Sequence, residues 1–270
     1  MLSADLVAAD GSTLYRACTL QGKIAMNQIT SRKCRLIASL AVFGMVALGL
    51  TGIVNALPAS IAAICPACYG FREVQPDIYV QKETRDDERT AIINTIKDAR
   101  AELTEFWGPL KAKPRILVCS DDDCFRRLGG GGRRGMSLFD KVAVLSPRGS
   151  NVTIAAHELS MNELHRRIGL WAFATGRIPI WFNEGVAMYS SDDLRYLAPV
   201  GGPNRCLTVP PAYLPTGMLE WNRTALVDHQ LYAKAACRTS QWIATHGGAP
   251  AAVALIEKVA AGVSFAEASM

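Results

Sequence analysis

The sequence predicts an α+β protein, mostly helical, with a small N-terminal sheet. Three observations carry this. Residues Asp86 to Trp107 repeat apolar side chains at helical spacing: Ile92, Ile93, Ile96, Ala99, Leu103 and Phe106. Two short runs of β-branched character, Pro114–Cys119 and Lys141–Ser146, both precede residue 150. From Asn151 onward, apolar residues at helical spacing alternate with turn-forming segments.

Taken in chain order, residues 1–35 read as a cytoplasmic tail, with Met26, which opens a far more ordinary targeting segment, as the alternative start. Arg32, Lys33 and Arg35 precede an apolar run from Leu36 to Val54, long enough to cross a bilayer as a helix. Basic residues on its N-terminal side keep that end in the cytoplasm. This makes 36–54 a transmembrane anchor, with a cleaved signal peptide and a buried core helix as the alternatives. Residues 55–71 are a linker with Cys65 and Cys68, and 72–270 are the exported domain, in the periplasm or outside. Six cysteines follow the apolar run, and local spacing favours Cys65–Cys68, Cys119–Cys124 and Cys206–Cys237. Half of the 270 residues are hydrophobic and the net charge is only +5. No basic stripe with interleaved aromatics is present, so nucleic acid is excluded as a partner.

Within the domain, Arg72–Gln81 reads as a short extended lead-in, and Gly108-Pro109 ends the first long helix. Asp121–Leu128 is a short helix capped by its aspartates. Gly129–Gly135 lacks the Lys-Ser/Thr ending of a phosphate loop and reads as a flexible surface turn. A helix starts at Asn151, runs to about Arg167 and is closed by Gly169; a second element covers Ile178 to Tyr189. Asn204–Trp221 is a long surface loop. Helices then span Asp228–Thr245 and Pro250–Ala261, with Gly262 just past the end.

The chemistry lies in two elements. His157-Glu158-Leu159-Ser160-Met161 opens the first helix, and Trp181-Phe182-Asn183-Glu184-Gly185 lies in the second, with Glu184 27 positions after His157. Two histidines four residues apart face one metal ion from one helix, and a glutamate beside the first polarises a metal-bound water. Either element alone is commonplace: a surface His beside a helix-stabilising Glu, and a charged residue in the first turn of a helix.

Together the two elements resemble the gluzincin-type zinc metallopeptidases. With Glu163 to Gly169, Cys65 to Phe71 and Ser191 to Tyr196, they are similar to a bacterial, membrane-anchored group of the peptidase-MA-like superfamily. The resemblance implies a zincin-like fold with its active-site helix at His157–Arg167. It implies zinc held by His157 and Glu184, Glu158 as general base towards a zinc-bound water, and a peptide or protein substrate. Tyr189, Tyr196 and Tyr232 are candidates to donate to the oxyanion. Asp192 and Asp193 are candidates either to orient a ligand imidazole or to cap the next helix.

The chain departs from that pattern where the second histidine belongs. Met161 stands there, and a thioether is a poor ligand for zinc. His165 is eight residues from His157, about 12 Å along the axis and roughly 80° round, so it is no substitute on an unbroken helix. His165 is therefore either a second support for the site or an ordinary polar position. The expectation is a membrane-anchored extracytoplasmic metallopeptidase-like protein, single-pass in the inner membrane, impaired by Met161, with zinc weak or absent. The alternative is a catalytically silent module of the same fold that binds a peptide or envelope partner.

Overall fold

A computed structural model describes residues 58–201 and 204–270, so the tail and the apolar run at 36–54 lie outside the described residues. Its sheet is mixed and has five strands: β1 (Phe71–Gln75), β2 (Ile78–Gln81), β3 (Arg115–Val118), β4 (Gly135–Leu138) and β5 (Val142–Leu145), in the order β1-β2-β3-β5-β4. β1 and β2 form a hairpin, turning at Asp77 with φ 66°. The expected lead-in segment thus becomes two paired strands, an arrangement that its mixed composition conceals. β2, β3 and β5 run parallel, and β4 closes the edge antiparallel to β5.

Parallel neighbours require crossovers. The first is α1 (Asp86–Trp107), whose ends are those expected. Asp86, Asp87 and Glu88 place negative charge at its N-terminus, where the helix dipole favours it. Gly108 at φ 67° stops it. Its buried face (Ile92, Ile96, Ala99, Leu103, Phe106) packs on Ile116 and Val118 of β3 and on Ala143 and Leu145 of β5. The alternate residues Leu117, Val142 and Val144 point to the opposite face. There they meet Phe125 and Leu128 and the helical segment 58–64 through Ala59, Ala62 and Ala63. The sheet is therefore a middle layer with helices on both sides.

The second crossover holds α2 (Asp122–Arg127), capped by the Asp121 side chain accepting from the Cys124 N–H at 2.7 Å, and then β4. Gly129–Gly135 is the surface turn expected over 131–134, which are exposed, but not at its two buried glycines. Gly130 is buried, where a Cβ would lie 2.2 Å from the Phe125 ring, and Gly135 already belongs to β4.

The C-terminal half is helical: α3 (Val152–Ala174), α4 (Ile180–Ser190), α5 (Met218–Ala225), α6 (Leu231–His246), α7 (Ala249–Ala260) and α8 (Phe265–Ala268). Met218–Trp221 was expected to end a surface loop, yet these residues open a helix and Trp221 is buried, because it fills a core with Met188, Leu214 and Leu231. Regular α3 geometry ends at Gly169, at φ 76° and ψ 165°, and 170–174 forms a separate turn. At Gly185 α4 meets α6 so closely that a Cβ would fall 2.0 Å from Thr239 Oγ1.

Buried Glu163 joins α3 to the segment after α1. Its carboxylate accepts from the backbone N–H of Ala112 at 2.7 Å and of Lys111 at 2.9 Å, and from Arg167 Nε at 2.7 Å. With these partners the charge is satisfied where burial would otherwise cost several kcal/mol. The three disulfides pair as spacing favoured, Cys65–Cys68, Cys119–Cys124 and Cys206–Cys237.

Candidate active-site pocket

The pocket lies where β4, α3 and α4 converge. β5 hands the chain to α3 through a short turn, and Asn151 Oδ1 caps the helix by accepting from the Ile154 N–H at 3.1 Å. Two turns later α3 presents His157 and Glu158. α4 brings Glu184 across, so that its Oε2 lies 3.4 Å from His157 Nε2. The cavity around them measures about 360 Å³; His157, Glu158, Met161, Glu184, Tyr196 and Tyr232 all line it.

Burial moves the charges here. It raises Glu158 to about 7; the positive charge of His157 and Arg133 opposes the shift and Glu184 adds to it. Burial alone would lower His157, but the bond to Glu184 and the charges of Glu158, Glu184 and Asp193 outweigh it and the result is raised. Tyr232 is pushed up to about 12, by burial first and by Glu184 second. Its hydroxyl therefore stays protonated at neutral pH and is available as a donor.

β4 crosses directly over Glu158. A Cβ on Gly135 would lie 2.7 Å from Glu158 Cγ and Oε1. Only glycine lets the strand come this close.

A tetrahedral zinc with bonds of about 2.0–2.1 Å separates its ligands by about 3.3–3.4 Å. The His157–Glu184 spacing of 3.4 Å matches two corners of such a site. The third corner is missing. Met161, one turn after His157, offers only sulfur, and among the described residues no three His, Cys, Asp or Glu side chains cluster to hold a metal. His157 Nδ1 is buried with no hydrogen-bond partner, whereas a zinc-bound imidazole normally donates through its other nitrogen. The residues present therefore do not complete a zinc site.

The other candidates lie elsewhere. Tyr189 is outside the pocket, with its ring 5.9 Å from Phe106 and the Arg205 guanidinium 5.7 Å from its centre. Asp193 is fully buried, but both its oxygens bond Arg195, at 2.8 and 2.5 Å, rather than a histidine. Asp192 pairs with Arg205. Neither caps α5, which begins at Met218. His165 is no surface position: it is buried, Nδ1 lies 3.3 Å from the Phe139 carbonyl, and Nε2 lies 3.1 Å from Asn183 Nδ2.

Reading the sequence missed one wall. Arg133 and Arg134 line the pocket from the glycine-rich loop, and Met218, Trp221 and Asn222 line it from α5. The paired arginines next to four glycines were the visible signal, since a loop with little side-chain bulk lets its charged residues lean inward. The chain matches no protein-family model, and no curated protein matches it in sequence.

Proposed function

We propose that this chain is a metallopeptidase-like protein of gluzincin type whose pocket binds an extended peptide and whose hydrolysis is impaired by Met161. The observation that carries the reading is the His157–Glu184 pair at 3.4 Å, beside Glu158 and one helical turn from Met161. Two ligands at tetrahedral spacing with the third replaced by a thioether describe a metal site that has lost its grip. Peptide binding does not need the metal. β4 is bonded to β5 on one side only, and its residues Gly135, Met136 and Ser137 line the cavity. An edge strand of this kind offers unpaired backbone groups to an extended chain. Tyr232 supplies a hydroxyl donor, and Glu158, balanced near neutrality, is suited to accept or give a proton.

Three disulfides favour an oxidising compartment, which agrees with an exported domain behind an anchor at 36–54. Among the described residues no helix is long and apolar enough to cross a membrane.

The test is zinc binding by the purified protein and its Met161→His variant. Wild type is expected to hold much less than one zinc per chain after dialysis, and the variant about one, with affinity raised more than about 100-fold. A variant that gains no zinc overturns the gluzincin reading. Stoichiometric, tightly held zinc in wild type overturns the impairment.

A further inference from the structure

Among the described residues, one groove is roomier than the candidate active site. About 890 Å³ of open space lies on the far side of β4, walled by Ala63, Ile64, Leu138, Val142 and Phe173. The two segments that supply Ile64 and Phe173 to it also carry exposed apolar side chains. Ile64 is 77% exposed, and the turn after Gly169 holds out Leu170 at 66% and Trp171 at 72%. A soluble surface seldom groups large apolar residues this way without a partner. The rim is basic on balance: Lys113, Arg115 and Lys141 line the groove with Asp77, and Lys141 is paired with Asp140 at 3.1 Å. Lys113 makes no ion pair among the described residues, and Arg115 bonds the Ala63 and Ile64 carbonyls rather than an acid.

Covalent reach narrows the choice of partner. Only residues 55–57 separate the apolar run ending at Val54 from the helical segment 58–64, which supplies Ala63 and Ile64 to the groove. Four Cα steps span at most about 14 Å. If 36–54 crosses a bilayer, the start of this segment stays within that covalent reach of the end of the run.

We propose that this face, formed by 58–64, the 170–174 turn and the rim at Lys113, Arg115 and Lys141, lies on an anionic lipid surface. The apolar side chains enter the interfacial layer and the cations meet phosphate headgroups. Trp at the boundary and lysines around it are the combination such an interface selects. The placement rests on the membrane-anchor reading of 36–54, but the contact itself is a separate claim.

The test uses the full chain reconstituted in vesicles of phosphatidylcholine with or without phosphatidylglycerol, with bromine-labelled acyl chains to quench tryptophan. Of the five tryptophans, Trp107 and Trp221 are buried, Trp181 and Trp242 are half-buried and Trp171 is exposed, so Trp171 is the one expected to report. Quenching is expected with phosphatidylglycerol, lost in Trp171→Phe and weakened by Lys113→Glu, which lowers the docked-to-undocked ratio about fivefold or more. Equal emission with and without bromine, or equal quenching in Trp171→Phe, overturns the proposal. Protection of 58–64 and 170–174 from hydrogen exchange that rises with protein concentration in lipid-free detergent assigns the face to a second copy and also overturns it. Flotation that resists alkaline carbonate reports the anchor separately. A chain that floats but is not quenched keeps the anchor and loses the lipid face; one that is quenched but extracted loses the anchor and keeps the face.

Discussion

α3 carries two histidines, and their surroundings are opposite. His157 opens onto the pocket, bonds Glu184 through one nitrogen and leaves the other without a partner. His165, two turns further on, has both nitrogens engaged and its ring packed between aromatics, with Phe173 at 4.4 Å and Phe139 at 6.1 Å. Carboxylates raise the first, and burial drives the second down to about 4. With His165 neutral, Nδ1–H donates to the Phe139 carbonyl and Nε2 accepts from Asn183. The difference teaches that neither residue type nor helix decides the role; unsatisfied bonding capacity does. A fully bonded histidine is structure, and a half-bonded one beside two glutamates has capacity left for a ligand.

Four measurements break or sharpen that contrast. The largest effect is expected from His165→Ala, which removes a buried ring and strands the Phe139 carbonyl and the Asn183 amide. It should cost about 3–4 kcal/mol in denaturant unfolding; a cost below 1 kcal/mol would mean that this network does not hold α3 to α4.

Next is acid. The unfolded chain protonates His165 near pH 6.5 and the folded chain only near 4. Its contribution is complete above pH 6.5 and is lost as pH falls towards 4, at up to about 1.4 kcal/mol per unit and about 3 kcal/mol in all. Stability–pH profiles of wild type and His165→Gln should diverge across that window and run parallel above it.

Gly135→Ala is third. The new Cβ collides with Glu158, so about 1–2 kcal/mol should be lost. Shortening the partner in Gly135→Ala/Glu158→Ala should return most of it, and a double-mutant cycle with no coupling would refute the contact. The smallest is His157→Ala, expected within about 1 kcal/mol of wild type because the imidazole has a single bonding partner. A loss as large as that of His165→Ala would erase the distinction.

Much of the fold was legible because local rules and packing agreed. α1 is an amphipathic stripe bounded by acidic residues and Gly108-Pro109, and nothing tertiary overrides it. Gly169 closes the site helix for the same reason, a positive φ that suits glycine. β4 was not legible. Gly135-Met136-Ser137-Leu138 has little strand propensity and becomes a strand only because β5 pairs with it. For the same reason β5 is internal, and the open edge belongs to β4. At the site, the spacing of His157, Glu158 and Glu184 brought three side chains into one pocket. Among the tyrosines, sequence distance could not tell Tyr232, inside the cavity, from Tyr189, packed on Phe106. That choice depends on how α4 and α6 cross at Gly185, a contact between residues far apart in the chain.

The Cys206–Cys237 bond bridges 31 positions, and within that span lie Met218, Trp221, Asn222 and Tyr232, one side of the pocket. A protease that cuts once anywhere between 207 and 236 therefore releases nothing. Both new ends stay on the same molecule, and the nicked protein runs as two chains only after reduction. One cut in this wall therefore leaves both of its halves attached to the pocket they line.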